Sequence, residues 1–142
     1  MPKPEKTCQF LVVEDNRDEA FLIEKALRRI SPETRCLVCR NLNEAKDYLR
    51  GAGIYAERLK FPEPDIIVAD LRIGLESGLD LLDWTKANSE LRHLHFIILT
   101  GSAAETDVAT ALQKGATKVI QKPYELHALT RILSDLMEEF CS

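Results

Sequence analysis

Five short apolar runs, each trailed by a stretch of helical periodicity, constrain this chain more than any other feature. They occupy residues 7–13 (T-C-Q-F-L-V-V), 34–39, 66–69, 95–99 and 118–121. The runs at 7–13, 66–69 and 95–99 read as strands buried in a parallel sheet, and those at 34–39 and 118–121 as two further strands. Strands that alternate with helices predict an α/β fold, with helices on both faces of the sheet and right-handed crossovers. One domain is expected over 1–142, its core at about 8–140, with no output domain attached.

The helix signals agree with this pattern. Asn16 reads as an N-cap with Glu19 three residues on for a capping box, and Ala20, Ile23, Leu27 and Ile30 follow at helical spacing. Asn41 opens a second helix that ends near Gly51, Gly78 begins a third, and Gly115 stops a fourth. The last carries Leu126, Leu129, Ile132, Leu133, Leu136 and Phe140 on one stripe. Residues 51–64, rich in Gly and Pro, read as a surface connection holding a helical turn.

Charge and composition narrow the function classes. With 19 basic and 23 acidic side chains the net charge is −4, which leaves no electrostatic footprint for nucleic acid. No apolar run reaches the length of a membrane span, and no apolar segment long enough for a signal peptide follows the polar Met1–Lys6 stretch. The expected compartment is the cytoplasm, so the four cysteines are expected to be reduced small hydrophobes. Cys36 and Cys39 form a C-x-x-C, but a spacing of three on a strand turns the two sulfurs to opposite faces. His93, His95 and His127 show no hydrolase arrangement and read as solvated or packed.

The chemistry lies where the strands end. Glu14-Asp15, Asp70, Thr100 and Lys122 all fall on the carboxyl edge of the sheet, where open α/β folds place their sites. A strand-end Asp or Lys taken alone is usually a cap or a solvated charge; the argument rests on the set. Clustered carboxylates without thiols or imidazoles suit a hard cation, and Mg²⁺ suits a site that keeps several waters. Asp70 is the candidate nucleophile for an acyl phosphate, with Lys122 and Thr100 placed to meet phosphoryl oxygens.

These residues resemble the response-regulator receiver domain of two-component signalling. The acidic pair Glu14-Asp15, the D-x(7)-G element Asp70…Gly78, Thr100 and Lys122-Pro123 carry the resemblance, which runs from about Cys8 to Phe140. It implies a flavodoxin-like (βα)5 three-layer sandwich with a parallel five-stranded sheet of order 2-1-3-4-5. It makes Asp70 the phosphoacceptor, Thr100 the switch hydroxyl and Lys122 the partner of the phosphate. Asp15 and Asp70 become Mg²⁺ ligands together with the backbone carbonyl of Arg72, and Glu14 contributes through water. The implied partners are a sensor histidine kinase and a histidine phosphotransfer or downstream protein, met through the fourth helix, fifth strand and last helix. The small Ala103, Ala104, Ala109 and Ala111 make that face a partner or homodimer surface.

The sequence departs from the family pattern at several points. Gly74 and Glu76 stand where a Pro and an apolar residue are usual, which implies a looser loop after Asp70. Val119 replaces the aromatic switch residue, and Gly101 replaces a small Ala, leaving more room for a phosphodonor. Arg72 and Ser102 occupy positions that tune phosphate lifetime. The 51–64 segment is loosely similar to that of small regulators that partner bacterial phytochromes.

The function implied is a signalling switch rather than an enzyme. It accepts a phosphoryl group on Asp70 and changes its partner affinity, or it passes the group on as a phosphorelay shuttle. A pseudo-receiver scaffold keeps the fold without the chemistry. An aspartyl-phosphate phosphohydrolase would need an acid-base group at Arg72, whose guanidinium cannot deprotonate near neutral pH.

Overall fold

A computed structural model describes residues 8–101 and 104–141. The expected strand start at Thr7, the Met1–Lys6 segment, and Ser102 and Ala103 lie outside the described residues. The elements run β1 (Gln9–Val13), α1 (Arg17–Ile30), β2 (Arg35–Cys39), α2 (Leu42–Arg50), a 3₁₀ turn (Gly53–Ala56), β3 (Ile66–Ala69), β4 (Arg72–Ile73) and β5 (Glu76–Ser77). After these come α3 (Gly78–Ala87), β6 (His95–Thr100), α4 (Glu105–Gln113), β7 (Lys118–Gln121) and α5 (Leu126–Cys141).

The main sheet is parallel in the order β2-β1-β3-β6-β7, which is the expected 2-1-3-4-5 with β6 and β7 as its fourth and fifth strands. The period-2 alternation of each strand divides the core in two. Leu11, Val13, Ile67, Phe96 and Ile98 pack with α2, α3 and Ala111 of α4 on one face. Phe10, Val12, Ile66, Val68, Ile97 and Leu99 pack with α1 and α5 on the other. The flavodoxin-like three-layer arrangement follows. Cys39 lies in the first cluster and Cys36 packs against the second, so the C-x-x-C does straddle the sheet. Burial pushes both thiols up to about 12.

Caps fall where the sequence placed them. Asn16 Oδ1 accepts from the Glu19 amide at 3.0 Å, and Asn41 Oδ1 from the Glu44 amide at 2.8 Å. Gly51, at φ +69°, closes α2 in the left-handed conformation. The connection that follows is more ordered than its composition suggests. Tyr55 sits edge-on between Tyr48 and Phe61, with centroids 5.4 and 5.2 Å away, and the Tyr48 hydroxyl bonds the Pro62 carbonyl. The Arg58 guanidinium donates to the Tyr48 and Leu49 carbonyls in the last turn of α2 and to the Phe61 carbonyl, tying the connection to the helix end.

One expectation is overturned here. Cys8 and Cys141 form a disulfide, 133 positions apart with Cα atoms at 5.8 Å, so the four cysteines are not all free. The topology explains the meeting. β1 begins at the amino edge of the sheet, and α5, returning from the carboxyl edge, ends beside it.

Candidate functional site

Register determines which side chains meet. Val13 pairs with Ala69, Ala69 with Ile98, and Thr100 with Gln121. The next residues, Glu14, Asp70 and Lys122, therefore emerge together at the carboxyl edge. Backbone bonds hold them there: the Glu14 amide donates to Cys39 O at 3.0 Å, and the Lys122 amide to Thr100 O at 2.6 Å.

Lys122 is the centre of the site. Its side chain is 4 % exposed, and its ammonium lies 2.9 Å from Asp70 Oδ2, 3.2 Å from Glu19 Oε2 and 3.6 Å from Glu14 Oε2. Burial alone would lower its pKa, but the bond to Asp70 and the charges of the three carboxylates outweigh it and raise it. One cation among three carboxylates leaves a surplus of negative charge. Glu14 bears the result: burial first, then its hydrogen bond with Glu19, pushes its carboxyl up to about 8. That same bond holds Glu19 below its usual range, so Glu19 carries the charge of the pair.

Asp15 is placed differently. Its Oδ2 accepts from the Gly74 amide at 2.9 Å, beside the cluster rather than in it. The acidic group that converges within 4.8 Å, among the described residues, is Glu14, Glu19 and Asp70. Arg72 extends an exposed side chain from β4, and its amide lies 3.4 Å from Asp70 Oδ1. Thr100 is buried and shares the cleft above the strand ends with Asp70 and Glu19.

The glycine eight residues after Asp70 has a steric reason. A Cβ on Gly78 would stand 2.0 Å from the Asp70 carbonyl oxygen, so α3 can start this close to the acceptor strand only without a side chain. The loop between them is not looser, as Gly74 and Glu76 had implied. It folds into a β4–β5 hairpin, with Gly74 at φ +66° in the turn and Glu76 Oε1 accepting from the Leu42 amide at 3.3 Å. Nor does Gly101 leave free room. The Tyr124 hydroxyl lies 2.5 Å from where a Cβ would be. Val119 pairs with Ile98 and packs against the α2–α3 core face.

Sequence reasoning missed Glu19 and Tyr124 as site residues. Glu19 was legible only as a capping partner; its backbone does take the cap, while its carboxylate turns to Lys122. The signal lay in the first turn of α1, which stands directly over the strand ends.

The profile described as "Response regulator receiver domain" matches residues 10–134. The chain belongs to that family. A receiver-family relative, the polar-differentiation response regulator DivK of Brucella anthropi, is 31% identical over 113 residues, covering 80% of this chain and 82% of its own. The structure of the phosphorylated cyanobacterial phytochrome response regulator RcpA superposes with a TM-score of 0.85 at 27% identity, covering 96% of this chain and 95% of that one. The Mn²⁺-bound form of the response regulator Rcp1 shares the fold at a TM-score of 0.79 and 23% identity, covering 92% of each chain. Receivers of this family are switches of two-component signalling that interact with sensor histidine kinases and downstream partners. No helix among the described residues is long and apolar enough to cross a membrane.

Proposed function

We propose that this receiver takes a phosphoryl group from a sensor histidine kinase onto Asp70, in the cytoplasm, and changes its partner binding as a result. The observation that carries the reading is the buried Lys122 ammonium 2.9 Å from Asp70 Oδ2, at the end of the central strand of a parallel sheet. The Asp70 carboxylate attacks phosphorus as the bond to the donor nitrogen breaks, and an acyl phosphate forms. Asp70 then exchanges its carboxylate charge for a phosphoryl group, and Lys122 pairs with an oxygen of that group. The Thr100 hydroxyl donates to another oxygen.

The donor set fits Mg²⁺. Glu14 and Asp70 offer oxygens within one 4.8 Å cluster, and the surplus of carboxylates around the single Lys122 ammonium is what a divalent cation relieves. Asp15, through the oxygen not bonded to Gly74, and the Arg72 carbonyl complete the proposed set. Bound there, the ion would neutralise charge that otherwise repels the incoming phosphoryl group. The partner surface is the α4–β7–α5 face, where α4 buries only Ala111 and leaves Leu112 half exposed.

The test is an intact mass after incubation with acetyl phosphate and Mg²⁺. A single phosphoryl adduct on the native chain, absent in Asp70→Asn and in the presence of a chelator, is expected. An adduct that survives Asp70→Asn would sink the reading.

A further inference from the structure

We propose that Glu19 is a positioning residue of the phosphoryl site that competes with the phosphoryl group for Lys122, and so acts as a built-in brake on Asp70. The inference rests on Asp70 being the acceptor. Glu19 lies outside the proposed metal set, yet its Oε2 is 3.2 Å from the Lys122 ammonium and its carboxylate lies within 4.8 Å of those of Asp70 and Glu14. Its side chain is only 27 % exposed, against 4 % for Lys122, so the pair is poorly screened by solvent.

Two consequences follow from that placement. A phosphoryl dianion arriving at Asp70 meets the Glu19 carboxylate at close range. Lys122, the cation that would receive the phosphoryl oxygen, is already shared with that carboxylate. The 3.2 Å contact between Glu19 Oε2 and Lys122 does not run through Asp70, so Glu19 keeps its claim on Lys122 after transfer. Its place on α1 is fixed by its own backbone, whose amide is held by the Asn16 cap at 3.0 Å. What holds the carboxylate itself is its 3.2 Å contact with Lys122.

The experiment compares native, Glu19→Gln and Glu19→Ala chains in the time course of adduct formation from acetyl phosphate with Mg²⁺, and in adduct decay after the donor is removed. In the transfer the Asp70 Oδ–P bond forms as the bond from phosphorus to the acetate oxygen breaks, and acetate leaves with the electron pair. Both variants are expected to form the adduct about fivefold faster and to lose it more slowly, the scale of one close charge interaction. Glu19→Gln keeps the shape and hydrogen-bonding capacity of the side chain, so rates equal to native in that variant mean a merely structural role and overturn the proposal. Slower formation in both variants means that Glu19 aims Lys122 productively, and also overturns it. An adduct on native chain with unchanged variant kinetics defeats this inference alone, whereas no adduct on native chain defeats the acceptor reading as well.

Discussion

At its carboxyl end β1 delivers Glu14 into a cluster of three carboxylates around one ammonium; at its amino end it follows directly on Cys8, which is bonded covalently to Cys141. The first arrangement is electrostatically strained and polar, and Glu14 is pushed up to about 8 because its surroundings do not favour its charge. The second is closed, with Cys8 and Cys141 both buried. The same strand thus joins a region built for stability to one built against it. Sites that bind charge commonly give up stability in this way, and the fold supplies it elsewhere.

Removing the staple is the largest expected perturbation. By loop-closure entropy, Cys8→Ser with Cys141→Ser should cost up to roughly 5 kcal/mol, since nearly the whole chain lies within the closed loop. Denaturant melts should show that loss while the adduct-forming rate of the folded fraction stays native. A variant as stable as the native chain would mean that the amino edge does not depend on the bond.

Gly78→Ala comes next, at about 3 kcal/mol, because the new methyl group must displace the Asp70 carbonyl. Unlike the cysteine variants, it should impair phosphoryl acceptance as well, since it moves the acceptor strand. Full adduct formation in a destabilised Gly78→Ala chain would separate Asp70 from α3.

The smallest effect has the opposite sign. Glu14→Gln should raise the stability of the metal-free chain by about 1 kcal/mol at pH 8, while weakening Mg²⁺ binding. The folded pKa of Glu14 lies above its ordinary 4.5, so the folded chain holds a proton there that the unfolded chain has released. That stability is complete below about pH 4.5 and is lost as pH rises toward 8. Melts at pH 5 and 8 with a chelator present should show a shallower decline for Glu14→Gln than for native chain. Parallel declines would remove the electrostatic contrast between the two edges.

Much of the fold was legible because burial on both faces writes strands as plain apolar runs, as at 66–69. Caps such as Asn16 and Asn41 are local signals, readable without tertiary context. The strand-end residues could be collected from the alternation alone, since parallel strands bring their carboxyl ends to one edge. What stayed hidden depends on contacts across the chain. The Cys8–Cys141 pair, the Glu19–Lys122 ion pair and the Tyr124 hydroxyl over Gly101 all join residues far apart in sequence. The β4–β5 hairpin was missed for another reason: two-residue strands carry no periodicity to detect.

The disulfide has a mechanical consequence. A pull applied through the segments before Cys8 and after Cys141 runs from sulfur to sulfur and bypasses the sheet. The chain between the two anchors, which are 133 positions apart, contributes no extensible length until that bond is reduced. Under tension from its two flanks, the oxidised domain behaves as a single short link, and the hydrogen bonds between its parallel strands carry none of the load.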